Sequence, residues 1–112
     1  NNKGVIYHWK NSIDAEETLK VGDNGLSYRS FLHINDLVSI FHLCIKINNP
    51  SIYNLSENNS FSMIELAKII LKDKKDNIEF FKSKNRLKSM VLKNDKFKNK
   101  FNYEFLNLLD FI

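Results

Sequence analysis

The stretch of residues 22–36 (GDNGLSYRSFLHIND) contains, one directly after another, the sequence signals of a turn, a strand and the start of a helix, which strongly constrains the fold. Its glycines can adopt positive φ at little steric cost, and Asp and Asn bond locally to the backbone in turns. Residues 28–34 have strand composition, and Asn35 with Asp36 is typical of a helix N-terminus. The stretch therefore predicts a mixed domain with Arg29 on the strand that joins turn and helix.

The rest of the chain continues this alternation. Apolar residues at helical spacing predict helices over residues 3–15, 35–48, 62–71, 94–101 and 103–112. The third of these begins with a capping box, Ser62 followed by Glu65. Strand patterns cover residues 18–21, 28–34, 52–55 and 77–83. Because no repeat or linker interrupts the pattern, we expect a single α+β lobe over residues 1–112, with short strands and four to five helices.

Composition supports a folded domain rather than a disordered chain. At 112 residues with 43% apolar residues and nine Phe, the chain can bury a core. Its one cysteine, Cys44, excludes an internal disulfide framework and fits a reducing compartment, so we expect a cytoplasmic protein in which Cys44 packs in the core. The apolar runs are too short to span a membrane. The chain starts at Asn1 and stops within an apolar pattern, as expected for a piece of a longer protein or for a complete small protein that has been trimmed.

Positive charge is concentrated between residues 72 and 100, where eleven Lys and Arg residues outnumber four acidic residues. Three interpretations are open: a solvated lysine-rich surface, a phosphate-bearing ligand, or nucleic acid. Nucleic acid is disfavoured, because the aromatic residues near these lysines (Phe80, Phe81 and Phe97) are better explained as core residues.

The sequence contains no visible catalytic machinery. It lacks a glycine-rich dinucleotide turn, a phosphate loop and a Tyr-x-x-x-Lys pair on a helix. Arg29 and Arg86 are the only arginines. A guanidinium binds phosphate in a planar, bidentate way that an ammonium cannot copy, so both are candidate anion ligands, although each alone is also compatible with an ordinary surface role.

Five blocks of sequence together resemble the extended short-chain dehydrogenase/reductases, the NAD-dependent epimerase/dehydratase family. The segment Y-R-S-F-L-H-I-N-D-L resembles the family's R-D/S-F-hydrophobic-H/Y-V-D-D-L motif, and L-K-V-G-D-N-G resembles the turn before it. S-I-Y-N-L-S resembles its Y-N-I/L-G strand, S-M-I-E-L-A its S-I-x-E-L-A helix, and R-L-K-S-M-V-L-K-N-D-K-F its R-x-x-D-x-x-L-D-N-S-K segment. The blocks follow the family's order and cover nearly the whole chain.

The resemblance implies the C-terminal, substrate-binding half of such an enzyme. Arg29 would contact the diphosphate of a sugar nucleotide, and Arg86 the diphosphate or the nucleotide ribose. Asn54 would lie beside the same group, and Val21, with Leu19, would line the base pocket. His33 and Asp36 match the motif but would serve packing and helix capping.

The resemblance places the cofactor outside this chain. In the family, a Rossmann half binds the dinucleotide and carries the catalytic Tyr and Lys, so no cofactor is expected on this chain alone and NAD(P) is implied for the full-length oxidoreductase or isomerase. The implied partners are a nucleotide-diphosphate sugar and a Rossmann domain in cis or in trans. The alternatives are a non-catalytic remnant or a stand-alone binding module for a partner protein or nucleic acid.

Three departures bear on these roles. Ser89 stands where many epimerases have Asp, Ser56 replaces the usual Gly after the Y-N-L strand, and Val21 replaces the family's Tyr before Gly22.

Overall fold

The computed structural model describes residues 3–48, 50–72, 77–85 and 88–112, and the predicted α+β fold class is confirmed there. The helices are α1 (Val5–Asp14), α2 (Ile34–Cys44), α3 (Met63–Leu71) and α4 (Asp95–Phe101). The strands are β1 (Leu19–Gly22), β2 (Tyr28–Ser30), β3 (Ser60–Ser62) and β4 (Ile78–Phe81). Short 3-10 turns occupy Asp23–Gly25 and Leu108–Asp110. β1 pairs with β4 and β2 with β3, each pair forming a two-stranded sheet.

The chain folds as two compact units, Asn1–Arg29 with Phe61–Ser89 and Ser30–Ser60 with Met90–Ile112. In the first unit, β1 and β4 run parallel in the register Leu19 to Ile78 through Gly22 to Phe81. α1 and α3 both contact β1. The buried apolar side chains of this unit come from α1, β1, β3 and α3: Trp9, Leu19, Val21, Phe61, Leu66, Ala67, Ile70 and Leu71.

The second unit is built around aromatic rings. Ile40 of α2, Phe97 of α4 and Phe105 form its buried cluster. The Phe97 ring centroid lies 4.7 Å from that of Phe101 and 5.4 Å from that of Tyr53, in the tilted and edge-on arrangements that aromatic pairs favour. Other partly buried side chains complete the cluster, among them the predicted core residue Cys44: Leu32, Cys44, Leu55 and Tyr103.

The helix predicted over residues 103–112 is wrong, and tertiary hydrogen bonds explain why. The Leu106 N–H donates to Asp36 Oδ2 at 3.0 Å, and the Leu108 N–H donates to Glu57 Oε2 at 3.2 Å. Buried carboxylates therefore take backbone donors that a helix would pair with carbonyls four residues back. Only the 3-10 turn Leu108–Asp110 is helical there.

Three local predictions also needed correction. The strand predicted over residues 52–55 is not formed, because Tyr53 and Leu55 enter the aromatic cluster without pairing in a ladder in the described part of the chain. The strand predicted over 28–34 ends at Ser30. α2 starts at Ile34 rather than after an Asn35 cap, because the His33 Nδ1 atom accepts from the Asn35 N–H at 3.1 Å.

Candidate functional site

A depression of about 550 Å³ lies at the carboxyl ends of the two parallel strands. It is lined by the turn after β1 and by the end of β4 with the residues that follow: Asp23, Asn24, Phe80, Phe81, Lys82, Ser83 and Lys84. In open sheets with parallel strands, ligands bind outside the carboxyl ends of the strands. The depression is therefore the candidate ligand site of the first unit.

The Asp23 carboxylate ties the two strand ends together. Its Oδ1 accepts from the Ser83 N–H at 3.0 Å, and its Oδ2 lies 2.6 Å from the Ser83 hydroxyl. A charge-assisted bond to a carboxylate is stronger than a neutral one, so the Asp23 side chain fixes the loop after β4 against the turn after β1. The predicted turn over residues 22–25 is confirmed, and Asp23 acts there as a structural link between the strands.

The walls of the depression combine aromatic surface with positive charge. Phe80 and Phe81 are each about half exposed, so the expectation that they are core residues is wrong, whereas Phe97 is fully buried as expected. Lys82 and Lys84 follow directly on β4. The depression thus offers two phenyl rings, two lysines and the Asp23 carboxylate to a ligand. The sequence signal for this site was F-F-K-S-K at the end of a predicted strand, which packing arguments alone assigned to the core.

Arg29 lies on β2 and is half-buried. Its Nη1 atom donates to the Tyr28 carbonyl at 2.9 Å and also to the Lys88 carbonyl. Beside it, the Tyr28 N–H donates to the Ser89 hydroxyl at 2.9 Å. Both guanidinium bonds use Nη1, so neither occupies Nε or Nη2, and the segment 88–89 is held beside Arg29.

The other candidate ligand residues differ from Arg29 in burial and in their place in the fold. Val21 is buried in β1 with Leu19, so both contribute to the core of the first unit. Asn54 belongs to the second unit and is exposed between Tyr53 and Leu55. Arg86 lies outside the described residues, and Lys88 follows it by two positions in the sequence. Ligand roles for Val21, Arg29, Asn54 and Arg86 stay predictions.

Asp36, which matches the family motif, is a buried anchor of the second unit. Its Oδ1 accepts from the Tyr103 hydroxyl at 2.8 Å, and its Oδ2 accepts from the Leu106 N–H. Burial raises the pKa of the Tyr103 phenol, and the hydrogen bond that it donates to Asp36 raises it further. Asp36 thus joins α2 to a segment 67 residues later in the chain.

Glu57 is a second buried acid in this unit. Its Oε2 accepts from the Leu108 N–H, while its Oε1 has no hydrogen-bond partner among the described residues. Burial raises the pKa of Glu57, and the negative charges of Asp36 and Asp110 raise it further, against the lowering effect of the Leu108 bond. Sequence patterns gave no signal for this residue, which follows the polar Ser56.

Neither Gly25 nor the N-terminus of α3 is available to a dinucleotide cofactor. A Cβ built on Gly25 would lie 2.7 Å from both the backbone N and the Cβ of Ile64, so this glycine accommodates α3 and does not cradle a pyrophosphate. The N-terminus of α3 is closed by its capping box, in which the Ser62 hydroxyl accepts from the Glu65 N–H and the Glu65 carboxylate from the Ser62 N–H.

The described residues contain neither a helix able to cross a membrane nor a cluster of metal ligands. No helix there combines the length and apolar character needed to cross a membrane. No group of three or more His, Cys, Asp or Glu residues within the described ranges is arranged to hold a metal ion.

Comparison with solved structures gives strong fold matches at low identity. The dTDP-glucose 4,6-dehydratase of Bacillus anthracis in complex with NAD matches 93% of this chain with a TM-score of 0.83 and 21% identity. The UDP-glucose 4-epimerase of Thermotoga maritima with UDP-glucose matches 98% with a TM-score of 0.83 and 17% identity. The ADP-L-glycero-D-manno-heptose-6-epimerase of Helicobacter pylori matches 95% with a TM-score of 0.75 and 19% identity. No protein-family model and no curated protein matches this sequence.

This chain spans only about a third of those structures, 34%, 37% and 33% of their respective lengths. These neighbours are a sugar-nucleotide dehydratase in complex with NAD and two sugar-nucleotide epimerases, and the coverage is consistent with the predicted C-terminal portion. The resemblance recognised in the sequence is thereby confirmed at the level of the fold.

Proposed function

We propose that this chain is the nucleotide-sugar-binding lobe of an NAD(P)-dependent epimerase, dehydratase or reductase. The observation that carries the proposal is the fold match over at least 93% of the chain to enzymes described as acting on dTDP-glucose and UDP-glucose. A depression with aromatic and cationic walls at the ends of two parallel strands supports it. NAD(P) and the reacting groups would belong to a Rossmann domain outside these residues, in a cytoplasmic enzyme.

The role proposed for the chain is affinity and orientation of the substrate. Arg29 would take the diphosphate through Nε and Nη2 while its Nη1 bonds hold the side chain in place. Arg86, which lies outside the described residues, stays a candidate second ligand of the diphosphate or the ribose on the resemblance alone. Asn54 and Val21 stay candidate substrate-binding residues on the resemblance alone.

Arg29→Ala and Arg29→Lys test this assignment in the complete natural polypeptide. Titration calorimetry with UDP-glucose and dTDP-glucose should show about 10- to 100-fold weaker binding for both variants, because a charge-assisted hydrogen bond is worth about 1.5–3 kcal/mol. Lysine retains the charge but cannot bind a phosphate in a bidentate way.

Lys100→Ala is the matched control, because it also removes one positive charge and lies exposed in the last turn of α4. Its affinity should equal that of the unmodified protein. Arg29 variants that unfold at the same temperature and bind as tightly as this control would refute the role of Arg29. Failure of the unmodified polypeptide to bind any UDP-, dTDP-, GDP- or ADP-sugar would refute the proposed function.

A nucleic-acid-binding module is the competing function, and the contacts of one lysine of the basic stretch, Lys96, count against it. The Lys96 ammonium donates to the Ser51 hydroxyl at 3.0 Å and to the Ile52 carbonyl at 2.8 Å, and it lies 4.9 Å from the centre of the Tyr53 ring. This lysine therefore stabilises the second unit. Binding to RNA or DNA that falls steeply with salt would favour the competing function.

A further inference from the structure

Two hydrogen bonds within the first unit connect the surroundings of Arg29 to the hydroxyl of Ser89. The Arg29 Nη1 atom donates to the Lys88 carbonyl. One position further along each segment of the chain, the Ser89 hydroxyl accepts from the Tyr28 N–H at 2.9 Å. All four residues belong to the first unit. Residues 28–29 and 88–89 are therefore held together by one side-chain donor and one side-chain acceptor.

The Ser89 hydroxyl bears on both acceptors of the Arg29 guanidinium. The Lys88 carbonyl lies in the planar peptide group that ends at the Ser89 Cα atom, so fixing the Ser89 side chain also limits the rotation of that oxygen. The second acceptor of Nη1, at 2.9 Å, is the carbonyl of Tyr28, the residue whose N–H is bonded to Ser89. Loss of the Ser89 hydroxyl would therefore loosen both oxygens that hold the guanidinium.

A guanidinium that is already held binds a phosphate more tightly than one that rotates freely. The Arg29 side chain is half-buried, and with Nη1 bonded to carbonyls its Nε and Nη2 atoms point to the two oxygens that a bidentate phosphate presents. A side chain that is fixed before binding loses less conformational freedom when the ligand arrives. For one long side chain this difference amounts to roughly two- to ten-fold in affinity.

We infer that Ser89 is a positioning residue that holds Arg29 ready for the diphosphate. The inference rests on the proposed function, under which Arg29 takes that diphosphate. Ser89 acts through the Tyr28 backbone and the Lys88 carbonyl, and its role does not require a contact with the ligand. Because the Ser89 side chain is exposed, its removal should leave the fold intact, which makes the role testable by substitution.

Nitrogen NMR of the complete natural polypeptide measures how firmly Arg29 is held. The two Nη signals of a held guanidinium are separate, whereas free rotation about the Nε–Cζ bond merges them. The Arg29 signals, assigned by their loss in Arg29→Lys, should be separate in the unmodified polypeptide and merged in Ser89→Ala. They should stay separate in Ser89→Thr, which keeps the hydroxyl, and in the control Ser12→Ala, which removes a serine hydroxyl from α1 of the same unit.

A double-mutant cycle measured by calorimetry with UDP-glucose and dTDP-glucose tests whether Ser89 acts through Arg29. Ser89→Ala should bind about two- to ten-fold more weakly than the unmodified polypeptide, while Ser89→Thr and Ser12→Ala should stay within about two-fold of it. In the Arg29→Ala background, Ser89→Ala should change the affinity by less than about two-fold, because no guanidinium is left to position.

Two results would overturn the inference while leaving the proposed function in place. Losses of affinity that add fully between Ser89→Ala and Arg29→Ala would assign Ser89 a ligand contact of its own. Arg29 signals that stay separate in Ser89→Ala, with unchanged affinity, would show that the hydroxyl does not hold the guanidinium. Failure of the unmodified polypeptide to bind any UDP-, dTDP-, GDP- or ADP-sugar would instead refute the proposed function and the positioning role together.

Discussion

Replacing Tyr103 with Phe should destabilise the second unit, because it removes the donor to a buried carboxylate. The Tyr103 hydroxyl lies 2.8 Å from Asp36 Oδ1, and the Asp36 side chain is 2% exposed. A hydrogen bond to a charged group contributes about 1.5–3 kcal/mol, and the carboxylate oxygen that loses it has little access to water. We expect a loss of about 2 kcal/mol of unfolding free energy, or roughly 10 °C in the melting temperature of a domain of this size.

Urea denaturation followed by circular dichroism measures the loss. Tyr53→Phe is the control, since Tyr53 packs in the same aromatic cluster but its hydroxyl makes no hydrogen bond with the described residues. Asp36→Asn should cost less than Asp36→Ala, because an amide still accepts from the Leu106 N–H and donates to the Tyr103 oxygen. A Tyr103→Phe variant as stable as Tyr53→Phe would contradict the anchoring role of Asp36.

Two further substitutions test the buried acid Glu57 and the turn at Gly25. The folded-state pKa of Glu57 is raised, so the native state favours the protonated side chain. The contribution of Glu57 to stability is therefore fully present below the ordinary pKa of 4.5 and is lost as pH rises through the folded-state pKa. Glu57→Gln should therefore gain stability relative to the unmodified protein as pH rises above 4.5 in urea titrations; a pH-independent difference would show that Glu57 does not titrate as inferred. Gly25→Ala should cost about 2–4 kcal/mol, since φ is +70° and the new methyl would meet the Ile64 backbone at 2.7 Å; Gly4→Ala, with open space at its Cβ position, is the control, and equal melting temperatures would contradict the packing argument.

The elements predicted well are those fixed by neighbours in sequence. The Ser62–Glu65 capping box closes within four residues, and α3 follows it as expected. The residues after 102 have the apolar spacing of a helix, yet their backbone donors bind Asp36 and Glu57, which lie 70 and 51 positions earlier. No local pattern reports on such distant acceptors. The candidate ligand site was equally hard to predict from local sequence, because the exposure of Phe80 and Phe81 depends on which faces of a two-stranded sheet the helices cover.

Several residues that carry the resemblance have structural roles. His33 caps α2, Asp36 anchors Tyr103 and Leu106, and Ser62 caps α3. In this chain, such capping and anchoring contacts specify where helices begin and what they pack against. These motif residues therefore indicate the fold more directly than they indicate a ligand. Arg29 differs from these residues. A lysine at this position would keep the positive charge but lose the planar guanidinium group. Comparing the nucleotide-sugar affinities of Arg29→Lys and Arg29→Ala therefore separates ligand binding from folding.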